Sequence, residues 1–170
     1  MELCLVRHAA AIDRTVEIPD EMRYLVPEGR ALFRKTARTM LKRGLEPNLI
    51  LSSPLVRAVQ TAEILAETLE YNGPLVVTDE LSPGLDLAGL ESLLQYYKPV
   101  GELVLVGHEP DLGNIAAALL GLAEGFDFKK GAAVMIRINP DKLLGKGGFK
   151  WQAVGKKLKT AHESLPAKKQ

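Results

Sequence analysis

The chain is short of cysteine and aromatic residues, and it lacks any long apolar run. One of its 170 residues is cysteine, and aromatics make up 5%. A lone cysteine cannot close an internal disulfide, so a reducing, cytoplasmic setting is expected. No uncharged apolar run reaches the ~18–20 residues of a membrane span, so no membrane partner is expected. The opening Met1-Glu2-Leu3-Cys4-Leu5-Val6-Arg7 does not read as a signal peptide, because an acid follows Met1 and the apolar run is short. Internal repeats are absent, as is any polar linker long enough to divide the chain. What is present is ordinary for a globular domain: 46% apolar and 25% charged residues. A chain of this size buries roughly 70% of its unfolded surface and needs no metal or disulfide staple. One domain over residues 1–158 is expected.

Charge of neither sign dominates, with a formal net of +1, but its distribution is uneven. Residues 1–141 hold 14 Lys and Arg against 20 Asp and Glu, a net of −6. Residues 142–170 hold 8 Lys against Glu163 alone, a net of +7. Residues 159–170 are expected to form a flexible basic tail. That tail is either a solvated, frayed terminus or a patch steering an acidic or phosphorylated partner. Interleaved aromatics and nucleic-acid motifs are missing, so no nucleic-acid partner is expected. A monomer is expected.

Along the chain, Glu2–Val6 reads as a buried strand. Apolar residues at Leu32, Phe33, Ala37, Met40 and Leu41 predict a helix over Glu28–Arg43, stopped by Gly44. Leu49–Leu51 is a second strand. Ser52-Ser53-Pro54 offers an N-cap and a first-position proline for a helix running through Ala58, Ala62, Leu65 and Leu69. Strand Leu75–Thr78, helix Leu87–Tyr97 and strand Glu102–Val106 follow. Asp111 can cap a helix ending at Leu120, before Gly121. Ala133–Ile138 and Phe149–Val154 read as a hairpin. The alternation predicts an α/β fold: one three-layer domain, a mostly parallel central sheet with helices on both faces.

Ligands of open α/β sheets bind at the carboxyl ends of the strands. Strand one ends at Arg7 and His8. Strand two ends at Ser52 and Ser53, with Arg57 one helical turn on. Strand three ends at Glu80, and strand four at Gly107 and His108. The third histidine, His162, falls in the basic tail and is expected to be solvated. Taken singly, each of these residues has a bland structural explanation, a hydrogen-bonded histidine or a surface ion pair. Together they place two imidazoles and two guanidiniums where ligands bind. Guanidinium binds phosphate oxygens in a forked, bidentate manner. A neutral imidazole can accept a phosphoryl group. Phosphoryl transfer needs little beyond positioning and charge stabilisation.

These residues also carry a resemblance. Leu5-Val6-Arg7-His8-Ala9, Ser52-Ser53-Pro54-Leu55-Val56-Arg57-Ala58-Val59-Gln60-Thr61-Ala62 and Val106-Gly107-His108 resemble the three motifs of the histidine phosphatase (phosphoglycerate mutase-like) superfamily. Within it the chain is most similar to SixA-type phosphohistidine phosphatases, through Glu80-Leu81-Ser82-Pro83-Gly84, His108-Glu109-Pro110 and Phe149-Lys150-Trp151. The resemblance spans Met1 to about Leu158. It implies a phosphoglycerate mutase-like fold and a metal-independent phosphatase without cofactors. His8 would be the nucleophile, Arg7 and Arg57 the phosphoryl ligands, and His108 a charged stabiliser of the transition state. Glu80 would be the proton donor, or else a capping or surface carboxylate. Arg23 and Ser53 are candidate substrate contacts. Ala9 stands where the signature has glycine, which is acceptable if its φ is negative.

Fifty residues separate Arg57 from His108, too few for the inserted helical lid of larger relatives. An open site is therefore expected. It suits a phosphorylated protein, such as a histidine phosphotransfer domain in two-component signalling, better than a small phosphate ester. Phosphate-like anions would inhibit. The competing readings are a small-molecule phosphomonoesterase and a non-catalytic phosphoprotein-binding module. A cysteine phosphatase is disfavoured, since Ala10 stands where its arginine would follow Cys4. Metal assistance is disfavoured by the arginines beside each histidine, so full activity in EDTA is expected.

Overall fold

The computed structural model describes residues 1–99, 101–123 and 125–160. In chain order the strands are β1 (Glu2–Arg7), β2 (Leu49–Ser52), β3 (Leu75–Val77), β4 (Glu102–Gly107), β5 (Ala132–Arg137), β6 (Gly148–Val154) and β7 (Lys157–Lys159). The helices are α1 (Pro27–Lys42), α2 (Val56–Leu69), α3 (Leu87–Tyr97) and α4 (Asp111–Leu120), with 3-10 turns at Asp20–Met22 and Asp79–Leu81. The sheet order is β3-β2-β4-β1-β5-β6-β7. The first four strands are mutually parallel, and β5, β6 and β7 pair antiparallel. The domain is thus the expected three-layer α/β fold, with helices on both faces of a mixed sheet.

The layering explains the strand sequences. Leu3-Cys4-Leu5-Val6 and Leu103-Val104-Leu105-Val106 are apolar without alternation because both faces of β1 and β4 are covered, and all eight side chains are fully buried. Leu3, Leu5, Leu103 and Leu105 pack toward α3 and α4. Cys4, Val6, Val104 and Val106 pack toward α1 and α2. Each fully buried Leu or Val contributes roughly 1.5–3 kcal/mol of transfer free energy. Gly29 in α1 permits a close approach: a Cβ there would lie 2.2 Å from the Ala10 carbonyl oxygen. This seats the start of α1 directly against the segment that follows β1.

Four local expectations change. Helix α2 begins at Val56, capped by Leu55, and Ser53 does not cap it. The sheet ladder continues past Ser52, the Ser53 N–H donating to Val106 O at 3.0 Å, so the chain stays extended. Asp111 is the first residue of α4 rather than its cap; its carboxylate accepts from the Gly84 N–H at 2.7 Å. The β5–β6 pair carries a register shift between Met135 and Ile136, and its connection spans residues 138–147. Strand β7 is an added edge strand that the sequence reading did not contain; its Lys-Leu-Lys is too short to show periodicity. Residues 161–170, including His162, lie outside the described residues, as does nearly all of the expected tail.

Candidate active site

Strands β1 and β4 are parallel neighbours in register, Arg7 opposite Gly107. The residues just beyond them, His8 and His108, therefore emerge side by side. Their ring centroids are 5.2 Å apart and the planes are tilted by 54°. Strand β2 flanks β4 on its other side, Ser52 opposite Val106, which brings Ser53 against His108. Helix α2 returns over the same edge and delivers Arg57. The sheet register alone assembles residues from three distant stretches.

Hydrogen bonds define the chemistry of each ring. His8 Nδ1 lies 2.7 Å from the Ala9 carbonyl oxygen, which can only accept, so Nδ1 carries the proton. Nε2 is therefore unprotonated, and its lone pair accepts from the Arg57 Nε–H at 3.3 Å. The Ala9 N–H donates to Thr61 Oγ1 at 3.0 Å, and the Thr61 hydroxyl donates to Arg57 O at 2.7 Å. Ala9 is not among the residues with positive φ and is 1% exposed, so alanine fits without strain. His108 Nε2 lies 2.7 Å from Ser53 Oγ. That oxygen also accepts from the Leu55 N–H at 3.3 Å, and its hydroxyl hydrogen can turn toward Nε2. With the hydroxyl donating to Nε2, His108 Nδ1 carries the proton; it is buried and has no hydrogen-bond partner among the described residues.

The arginines are held by backbone. Arg7 Nη1 donates to Phe128 O at 2.6 Å. Arg57 Nη1 donates to Asp20 O at 2.6 Å and Nη2 to Asp20 Oδ2 at 3.0 Å. Asp20 also accepts from Arg23 Nη1 at 2.8 Å and Arg14 Nε at 2.9 Å. Hydrogen bonds from Arg23 and Arg14, with Arg57 behind them, hold its carboxyl far below the usual range. Asp20 is the site carboxylate that the sequence reasoning missed. The available signal was its i,i+3 spacing to Arg23.

Burial pushes the His8 pKa down to about 3, aided by His108, Arg57 and Arg7 and opposed by the Ala9 hydrogen bond. Burial and Arg57 push that of His108 down to about 4, with Asp20 opposing. Without an anion both imidazoles are neutral at pH 7. In the anion-free site, burial and two guanidiniums outweigh one carboxylate at His108. The proton on Nδ1 nonetheless makes the neutral ring a donor.

The structure brings Arg7, His8, Arg57, His108 and Ser53 together. Ser53 is fully buried and committed to His108. Arg23 stands behind Asp20, its Nε donating to Ile12 O at 2.8 Å. Glu80 forms no hydrogen bond with the two histidines or the two arginines among the described residues. It is exposed in the turn after β3, which packs against β4, and its carboxylate accepts from the Thr78 hydroxyl. Burial pushes the Cys4 thiol up, as befits a strand-core residue. Among the described residues, no three His, Cys, Asp or Glu side chains cluster as a metal site would require. Among the described residues, no helix is long and apolar enough to cross a membrane.

An unprotonated imidazole nitrogen, two guanidiniums and a second imidazole at the carboxyl edge of an α/β sheet form an arrangement chemically suited to a phosphoryl group. The comparisons agree. The family profile of the histidine phosphatase superfamily (branch 1) matches residues 3–83. An uncharacterized protein of Picosynechococcus is 40% identical over 121 residues, 70% of this chain and 73% of that protein. Phosphohistidine phosphatase SixA of Escherichia coli is 27% identical over 164 residues, 95% of this chain and 98% of that protein. The structure of protein histidine phosphatase SixA complexed with tungstate superposes with a TM-score of 0.80 at 25% identity, over 91% of this chain and 97% of that one. The chain belongs to the histidine phosphatase superfamily and is SixA-like in sequence and structure.

Proposed function

We propose that the protein is a metal-independent phosphohistidine phosphatase that acts on a phosphorylated protein through a phospho-His8 intermediate. The observation that carries this reading is the state of His8: its Nδ1–H is tied to the Ala9 carbonyl, and its unprotonated Nε2 accepts only a long bond from the Arg57 Nε–H at 3.3 Å. In the first step His8 Nε2 attacks phosphorus and the substrate P–N bond breaks. The departing imidazole nitrogen takes a proton from water. In the second step water attacks the phospho-His8 phosphorus, the His8 N–P bond breaks, and inorganic phosphate leaves. Arg7 and Arg57 stabilise the equatorial oxygens, and His108 donates from Nδ1.

A phosphoramidate expels its leaving group readily once protonated, so no strongly placed acid is required. The position of Glu80, exposed and engaged with Thr78, supports this choice over a phosphomonoesterase, whose ester leaving group needs a donor. A cytoplasmic setting and a role in two-component signalling belong to the same proposal. It rests on the SixA likeness and on the lone, buried Cys4.

The test is rapid-quench trapping with a 32P-labelled histidine phosphotransfer domain, beside turnover of sugar phosphates. Wild type should carry acid-labile label, and His8→Ala should carry none. Equal labelling of both proteins would remove His8 as nucleophile. Faster turnover of the sugar phosphates would favour the phosphomonoesterase.

A further inference from the structure

A cationic groove lies along the same edge of the sheet as the histidines. Val6 pairs with Ala133, which pairs with Ala153, and the next residue, Val154, pairs with Lys157. Three inter-strand steps separate β1 from β7. At ~4.8 Å per step that is about 14 Å. There α1 and β7 enclose a groove of about 590 Å³, with Lys35, Lys129, Lys156, Lys157 and Lys159 on its walls and Asp127 as its one acid. Leu32 and Val154 supply an apolar floor. A second groove shares Lys35 and Lys156 and continues down α1 past Arg38 and Lys42.

The groove is tied to the catalytic residues by backbone. Phe128, between Asp127 and Lys129, gives its carbonyl to Arg7 at 2.6 Å, and the Gly131 N–H donates to His8 O at 3.0 Å. On the other wall, Thr36 bridges α1 to this region, donating to Gly131 O at 3.0 Å and accepting from the Gly155 N–H at 2.8 Å. Among the described residues, none of the groove lysines forms an ion pair, whereas Arg14, Arg23, Arg34, Arg57, Arg137 and Lys150 do. Lysines on an edge strand deter unwanted pairing, but that accounts for β7 and not for Lys35, Arg38 or Lys129.

We propose that this groove docks an acidic, amphipathic segment of the phosphorylated protein and so aligns its phosphohistidine with His8. The proposal rests on the phosphoprotein reading above. A small phosphate ester cannot span about 14 Å from the histidines to β7. A nucleic-acid strand would need aromatic faces for stacking; no aromatic lines the groove, and Trp151 is buried. An acidic helix meets both the unpaired cations and the apolar floor.

The test is a Lys35→Glu/Lys129→Glu/Lys157→Glu variant; all three side chains are exposed. Both proteins are assayed on a histidine-phosphorylated phosphotransfer domain and on free phosphohistidine. The variant should lose ~10–100-fold in kcat/KM on the protein, with a flattened salt dependence. It should stay within twofold on free phosphohistidine, which also reports an intact fold. Undiminished turnover of the protein, or equal loss on both substrates, overturns docking while leaving the phosphatase reading standing. Wild type inactive on the phosphoprotein overturns both. A short DNA duplex that competes as well as an unphosphorylated acidic domain marks a general polyanion surface and also overturns the proposal.

Discussion

Replacing Ser53 by alanine isolates the role of one hydrogen bond. Ser53 Oγ lies 2.7 Å from His108 Nε2 and is fully buried, so water cannot replace it. Its hydroxyl keeps the proton of neutral His108 on Nδ1, the nitrogen free to donate to a phosphoryl oxygen. Removing one partner of a buried hydrogen bond costs about 1–3 kcal/mol. At 1.36 kcal/mol per decade, that is about 5- to 150-fold in rate if the loss falls on the transition state. The expected result is a fall in kcat of that size on free phosphohistidine, with KM little changed. Long-range 1H–15N spectra of the histidine rings supply the second readout: His108 should shift from an Nδ1–H tautomer toward a mixture. A variant with kcat within twofold of wild type and an unchanged His108 tautomer would refute the assignment. Lost activity with an unchanged tautomer would instead trace the loss to Leu55, whose N–H shares the same oxygen at 3.3 Å.

Arg57→Ala should lower kcat/KM by about 10²–10³-fold, as loss of one preorganised donor does elsewhere, and Arg57→Lys should not restore it because ammonium lacks the fork; a loss under tenfold would contradict the role. Gly29→Ala should destabilise by about 1–3 kcal/mol, since the added methyl meets Ala10 O at 2.2 Å, and a thermal melt should fall by about 2–4 °C per kcal/mol. Acid should weaken the fold early. His8 and His108 are depressed to about 3 and about 4, so the unfolded chain binds more protons below about 6.5. Their stabilisation, present above pH 6.5, should fall by up to ~1.4 kcal/mol per pH unit for each histidine as pH drops toward 4. Urea unfolding at pH 7 and pH 5 reads this directly, and equal stability at both would contradict the burial of the pair. Because both rings are already neutral, kcat/KM on free phosphohistidine should show no histidine limb between pH 5 and 8. A steep limb there would restore a charged His108.

Much of the molecule is determined locally and was therefore legible in sequence. Uninterrupted apolar runs such as Leu3–Val6 mark strands covered on both faces, and the stripe through Phe33, Ala37 and Met40 marks an amphipathic helix, because burial acts on each element's own periodicity. The ends of parallel strands are where ligands bind, so Arg7, His8, Ser53 and His108 could be singled out before any coordinates, with Arg57 one helical turn beyond. Contacts between loops depend on register and on how far a side chain reaches, and no short stretch encodes either. Only the tertiary structure put Asp20 into the fork of Arg57, turned Ser53 from a helix cap into the partner of His108, and paired Glu80 with Thr78. It alone decided that the imidazoles are neutral, since desolvation depends on everything packed around them. It also gathered lysines from α1, the segment after Phe128 and β7 along the sheet edge that carries the histidines, across more than a hundred residues of chain, because the sheet register, and not the order of the sequence, sets which side chains share an edge.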